Sequence, residues 1–219
     1  MKVASINICI LLVYCIVYAT AQIDHCWLVQ SWPYGYCLSY PCKYKPGVFV
    51  LHGLWPVTFR GRTLENSTAR ADDIIDKINN DSSLVADMNR YWKSLLRRNT
   101  ELFWVHEWKK HGSAFPHEPL DYFRRTVKLM KRMNLLSTLK AGGVEPRTTS
   151  YPKSKYKDAI KAVTGSDSVI LKCAYNETGY LLQEVMLCTD YEAETFIECN
   201  SYEMFEENCG PDIIFPPRW

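Results

Sequence analysis

The stretch Val169–Leu187, VILKCAYNETGYLLQEVML, decides the fold class. Val169-Ile170-Leu171 and Tyr180 to Leu187 read as strands, and Asn176-Glu177-Thr178-Gly179 between them is turn-like. Just upstream, Tyr156, Ile160 and Val163 recur at helical spacing, in a helix that stops before Gly165. Leu120 to Met133 is helical through Phe123, Val127 and Met130. Leu84, Met88, Trp92, Leu95 and Leu96 mark another helix, with Ser82 or Ser83 placed to cap it. Nearer the N-terminus the pattern returns to strands. One runs from Cys26 to Trp32 and ends at Pro33. The other runs from Val48 to Leu54, with Gly47 before it and Pro56 after it. Strands at both ends around a helical middle predict one α+β domain over 22–219, with helices packed against a mainly antiparallel sheet.

The 219 residues are ample for a real core, and a hydrophobic fraction of 47% excludes a disordered chain. A net charge of +2 excludes a polybasic nucleic-acid carrier, so any RNA contact has to come from a local site. Lys2, the apolar run Ile6 to Val17 and Ala19-Thr20-Ala21 have the form of a signal peptide cut after Ala21. The run is short for a membrane span, and no later run approaches that length. A secreted or vacuolar route is therefore expected for 22–219.

Of nine cysteines, Cys9 and Cys15 leave with that leader. Cys26, Cys37, Cys42, Cys173, Cys188, Cys199 and Cys209 remain, and an oxidising route favours disulfides among them. Their odd number leaves one thiol free or paired outside the chain. No CxxC occurs, so a zinc ribbon is not expected. Asn66, Asn80 and Asn176 each begin a glycosylation sequon.

Five histidines occur: His25, His52, His106, His111 and His117. His52 sits in Val50-Leu51-His52-Gly53-Leu54-Trp55-Pro56. His106 and His111 sit in Phe103-Trp104-Val105-His106-Glu107-Trp108-Lys109-Lys110-His111-Gly112. On a helix turning about 100° per residue, Lys110 falls roughly 40°, Glu107 roughly 100° and His111 roughly 140° from His106. Two imidazoles, a carboxylate and an ammonium thus share a face that Phe103 and Val105 would wall. His25 and His117 lack such company and read as surface residues. Lys109 reads as solvent-facing, and Arg97-Arg98 as a charge pair at a helix C-terminus. A zincin needs histidines four apart, whereas these are five apart, and Lys110 would repel the metal. No metal or other cofactor is expected.

Acid–base chemistry on an anion fits better. One imidazole can accept a proton while another donates one. Lys110 and a third imidazole can stabilise charge growing on phosphorus. RNA brings its own nucleophile, the 2′-hydroxyl, and Trp55 and Phe103 offer stacking faces for unpaired bases.

These two segments resemble the active-site segments of the ribonuclease T2 family. Val29-Gln30-Ser31-Trp32-Pro33 is similar to the family's first strand. Asn134-Leu135-Leu136, Leu181-Leu182-Gln183-Glu184-Val185 and the later cysteines resemble its plant branch, which includes the S-RNases of pollen rejection. The resemblance implies a metal-independent endoribonuclease that cuts single-stranded RNA to 2′,3′-cyclic phosphates and then 3′-phosphates. His52 resembles the general acid, His111 the general base and His106 the phosphate-binding histidine. Glu107 and Lys110 resemble the stabilisers of the transition state, and Trp55 the base-stacking tryptophan. The implied disulfides are Cys37–Cys42, Cys173–Cys209 and Cys188–Cys199, leaving Cys26 as the odd thiol of an otherwise monomeric enzyme.

The chain also departs from the pattern. Ser113-Ala114 follows Gly112 where relatives carry a cysteine bonded to one after the first segment, and no Cys lies between Cys42 and Cys173. Val57 replaces a frequent Asp, and Ser31 stands where relatives often have Gln in a second base pocket, so base preference is open. Two other roles compete with a general secreted nuclease. One is an S-RNase, the pistil determinant of self-incompatibility, read by pollen F-box proteins. The other is a storage or defence glycoprotein that kept the fold and lost activity, which the intact His52, His106, Glu107, Lys110 and His111 oppose.

Overall fold

The computed structural model describes residues 23–59, 61–65, 73–96, 98–115, 118–199 and 207–218. The expected leader, Asn66, His117 and Arg97 lie outside them. The strands are β1 (His25–Ser31), β2 (Val50–Val57), β3 (Ser150–Pro152), β4 (Val169–Asn176), β5 (Gly179–Asp190) and β6 (Asp212–Ile214). The helices are α1 (Pro33–Ser39), α2 (Ile74–Asn79), α3 (Ser82–Tyr91), α4 (Glu101–Lys110), α5 (Pro119–Arg132), α6 (Leu135–Ala141) and α7 (Lys153–Thr164). A single 3-10 turn, Gly112–Ala114, follows α4.

β4 and β5 form the expected antiparallel hairpin, with Asn176 opposite Gly179 across the turn. Gly179 takes φ 119°, which suits a residue without a Cβ. β5 is the hub of a six-stranded sheet, pairing with β4, with β1 and, in parallel over Tyr180 and Leu181, with β6. Every other pairing is antiparallel, as expected.

Most of the apolar residues gather on one face of this sheet. Leu28, Leu54, Leu171, Val185 and Trp32 meet Trp92, Trp104, Tyr122 and Phe123 from the helical side. A small cluster of Trp27, Val29, Val57, Met186 and Cys188 covers the opposite face. Helix α1 approaches β5 so closely that a Cβ on Gly35 would lie 1.7 Å from the Leu182 carbonyl oxygen. Gly35→Ala must therefore push α1 off the sheet. Its melting temperature should fall by roughly 3–10 °C in thermal denaturation, the effect of ~1–3 kcal/mol of overpacking.

Three local expectations are corrected. Helix α3 is capped by Asp81, whose carboxylate accepts from Leu84 N–H, and not by Ser82 or Ser83. Strand β2 continues through Pro56 to Val57. It is the outermost strand on its side of the sheet, where a residue without an N–H is tolerated. Helix α3 also ends at Tyr91, so Trp92 and Leu95 are buried from a non-helical segment instead of a helix face, and Leu96 is exposed.

The disulfides Cys37–Cys42, Cys173–Cys209 and Cys188–Cys199 are those the resemblance implied. Among the described residues, Cys26 is the free thiol. It lies wholly buried on β1, and burial, then the charges of Asp190 and Glu192, push its pKa well above the ordinary value.

Candidate active site

Pairing between β1 and β2 is regular from His25–Val57 to Val29–Gly53, then skips to Gln30–Leu51. His52 is therefore the extra residue of a β-bulge. Without the bulge, Leu51 and Leu54, three apart, would point to opposite faces of a strand. With it, both enter the larger core, and His52 is turned out of the ladder. The backbone around the bulge is satisfied by side chains. Trp92 Nε1–H donates to the His52 carbonyl at 2.9 Å, and Tyr122 O–H donates to that of Leu54 at 3.1 Å. Trp104 Nε1–H of α4 donates in turn to the Trp92 carbonyl at 2.7 Å. One chain of indoles thus ties α4 to the bulge.

The His52 ring has a partner that no local motif suggested. Its Nδ1 lies 2.7 Å from Glu184 Oε1, and Ser31 O–H donates to the same oxygen at 2.6 Å. Sheet register makes this possible, because Glu184 of β5 is directly opposite Ser31 of β1, which is opposite Val50 of β2. With Nδ1–H given to the carboxylate, Nε2 is the nitrogen left for the cleft. Burial disfavours the imidazolium, but the charge and hydrogen bond of Glu184, with Glu107 behind, outweigh it and raise the His52 pKa to about 9. Burial works against ionising Glu184 too, yet His52 and Ser31 hold it below the usual range.

His111 has the opposite setting. It is the residue just past α4, buried, with its ring stacked on Trp55 at 5.1 Å between centroids. Burial, then the positive charges of Lys110, His52 and His106, push its pKa down to about 3, against a hydrogen bond to the Leu64 backbone. Its Nδ1 is buried with no hydrogen-bond partner among the described residues. The other face of the arrangement is His52, 5.2 Å from the same Trp55 ring. One indole therefore stands between a charged imidazole and a neutral one.

Glu107 is buried beneath them, and Trp55 Nε1–H makes a long 3.4 Å contact to its Oε2. Burial raises its pKa to about 7, despite the opposing effects of His52, Trp55 and Lys110. Gly53 is needed here, because a Cβ would sit 2.2 Å from Glu107 Oε2. Lys110 pairs with Glu65 at 3.3 Å at the surface. His106 is exposed at the mouth. His52, Phe103, His106 and Glu107 line a cleft of about 150 Å³, which Tyr36, Lys93 and Leu95 also line.

The structure thus gathers His52, Phe103, His106 and Glu107 in one cleft, with Trp55 against His52 and Glu107, His111 stacked on Trp55, and Lys110 close enough to act on the charges of His52, Glu107 and His111. His25 is corrected. It is 2% exposed, with Nδ1 bonded to Asp24 at 2.9 Å on the opposite, smaller core, and is not a surface residue. Among the described residues, His25, Cys188 and Cys199 come close enough to suggest a metal site, but the two sulfurs are bonded to each other. The segment beyond β2, where the family's missing bridge would lie, is held instead by Leu64 N–H to Pro56, the Val57–Thr63 bridge and Lys110–Glu65.

A mainly antiparallel sheet that carries this pair of histidine segments is the framework of a T2-type ribonuclease, and the family comparison bears that out. The Ribonuclease T2 family model matches residues 23–199, so the chain belongs to that family and is a ribonuclease. Among curated relatives, it is 36% identical to Ribonuclease S-2 of Antirrhinum hispanicum, over 86% of this chain and 84% of that one. It is 32% identical to Intracellular ribonuclease LX of Solanum lycopersicum, over 94% and 88%. The crystal structure of RNase NT in complex with 5′-AMP superposes with a TM-score of 0.78 at 31% identity, covering 90% of this chain and 99% of that one.

Proposed function

We propose that this ribonuclease is an endonuclease of single-stranded RNA that works by metal-independent transphosphorylation. The observation that carries the reading is the pairing of opposite imidazoles about Trp55, His52 charged by Glu184 and His111 kept neutral by burial. His111 takes the 2′-hydroxyl proton as O2′ attacks phosphorus. His52 gives its proton to O5′ as the P–O5′ bond breaks. His106 and Lys110 hold the phosphoryl oxygens, and Glu107, protonated below about 7, donates to one of them as charge builds. The two imidazoles exchange tasks when water opens the 2′,3′-cyclic phosphate. Trp55 stacks on the base of the nucleotide whose ribose carries the attacking 2′-hydroxyl. The cleft lined by Ser31 and Phe103 takes the leaving nucleoside, whereas Val57 is wholly buried in the smaller core and does not reach it.

Secretion of 22–219 after loss of the leader rests on the Lys2 to Ala21 pattern and on three disulfides, which need an oxidising route. Asn80 and Asn176 are exposed, as glycan acceptors must be. Buried Cys26 has no route to a second chain, which supports a monomer. A second role, pistil-side self-incompatibility with a pollen F-box partner, is favoured by the identity to Ribonuclease S-2. Pistil-restricted expression and allelic variation would mark it.

The test is incubation of the purified protein with a panel of dinucleoside phosphates in EDTA. A 2′,3′-cyclic phosphate is the expected first product, and the deoxy analogues should resist. Folded protein that cuts no member of the panel would leave the storage or defence role standing instead.

A further inference from the structure

The cleft does not end at Tyr36. We infer that Tyr40 and Tyr44, with Lys43 and Lys93, form a further nucleotide subsite that binds RNA on the 3′ side of the cleaved bond. The inference extends the reading of His52 and His111 and rests on it for its polarity.

The geometry is that of a stepped aromatic surface leading out of the cleft. Tyr36 lines the cleft, with its ring edge-on to His52 at 6.1 Å. Tyr40 stacks on Tyr36 at 4.6 Å and is 46% exposed. Tyr44 is 42% exposed, and the Lys93 ammonium lies over its ring at 5.1 Å. Lys93 itself lines the cleft. Exposed aromatic rings are what successive unpaired bases seek, whatever their identity.

The platform is also held in place. Disulfide Cys37–Cys42 closes the loop that carries Tyr40. Lys43 N–H and Tyr44 N–H both donate to the carbonyl of Leu95, a residue of the cleft wall, at 2.7 and 3.3 Å. A rigid aromatic surface loses little entropy when it binds. Its charge favours a polyanion. From His25 to Leu64 the chain carries no Asp or Glu, while Lys43 and Lys45 stand exposed beside the tyrosines. In a chain of net charge +2 this is a local basic strip joined to the active-site cleft.

Polarity follows from the chemistry. The group that protonates O5′ must stand beside the leaving nucleoside, and that group is His52. Tyr36 and the tyrosines beyond it lie on the His52 side, whereas Trp55 and His111 face the nucleotide carrying O2′. The strip therefore meets the second and third nucleotides 3′ of the break.

Chimeric oligonucleotides with a single ribonucleotide fix the break at one bond. Adding two deoxynucleotides on the 3′ side should raise kcat/KM roughly tenfold over the minimal substrate, and the same addition on the 5′ side far less. Combining Tyr40→Ala and Tyr44→Ala should erase the 3′ gain while leaving the minimal substrate within about twofold, and the Phe replacements should restore it because they keep the ring face. Equal gains from both extensions, a 3′ gain that survives the Ala changes, or an equal loss on the minimal substrate would each overturn the subsite. If no chimera is cut, the catalytic reading fails, and the subsite is judged on binding of an all-deoxy tetranucleotide by fluorescence anisotropy. The Ala pair should weaken that binding roughly tenfold, and unchanged binding would refute the proposal.

Discussion

His52→Asn and His111→Asn should each lower kcat on a dinucleoside phosphate by roughly a thousandfold or more, while the protein stays folded. Each removes one of the two proton-transfer groups, so the double variant should be little worse than either single one. The fold has reason to survive. The His52 side chain is 24% exposed, and the bulge is held through its carbonyl by Trp92 and not through its ring. His111 sits past the end of α4, where the ring contributes a stacking contact with Trp55 but no ladder hydrogen bond. The cost there is the ring's packing and its hydrogen bond to the Leu64 backbone, together ~1–3 kcal/mol. His106→Asn should differ in kind, because an exposed side chain at the mouth holds substrate more than it moves protons. Its effect should fall mainly on KM. Single-turnover kinetics with circular dichroism on the same samples separates these outcomes. Activity within tenfold of the parent in either His52→Asn or His111→Asn would refute the assignment of that imidazole.

The parts of this molecule written in short-range pattern were readable before any coordinates. The 169–187 hairpin announced itself by two apolar runs and a turn, and Gly165 ended α7 at φ 74° as a residue without a Cβ does. Four complementary ionisable residues, His106, Glu107, Lys110 and His111, on one face of α4 and its cap marked a site because chance seldom crowds them so. What stayed hidden depends on register. The bulge at His52 comes from pairing with β1, and nothing in Leu51-His52-Gly53 marks it. Glu184 reaches His52 from 132 residues away because two strand pairings line it up with Ser31. Ser31 looked like a base-pocket residue, and its hydroxyl is instead committed to Glu184. No motif singles out Tyr36 and Tyr40; the position of α1 against β5 brings Tyr36 to the cleft, and Tyr40 stacks on it. His25 misled for a related reason. A lone histidine near the start of a strand reads as exposed until the second, smaller core is seen to cover it.

Glu184 also sets the pH at which the enzyme should fail. A histidine whose pKa is raised is a competent acid below that value and loses its proton as pH rises through it. With His52 at about 9 and His111 at about 3, kcat/KM needs a pH above about 3 for the base and below about 9 for the acid. Glu107, at about 7, adds a shoulder above neutrality as its proton is lost. Glu184→Gln keeps an oxygen that can accept Nδ1–H but removes the charge. Burial then acts on His52 with less opposition, and its pKa should drop by roughly 2 or more units, to or below the ordinary histidine value of about 6.5. At pH 8 that leaves only a few per cent of the acid protonated, so the rate should fall by roughly tenfold or more while activity near pH 5 stays close to the parent's. Glu184→Ala removes the acceptor as well, frees the ring to exchange tautomers and should cost about a further tenfold at every pH. Nitrogen chemical shifts of the His52 ring read both effects directly, its pKa from the titration and its tautomer from the shift pattern. A structural role alone would lower melting temperature without moving either. If the alkaline limb and the His52 titration are unchanged in Glu184→Gln, the carboxylate does not charge the acid, and His52 must draw its proton affinity from Glu107, the remaining carboxylate that acts on it in this cleft.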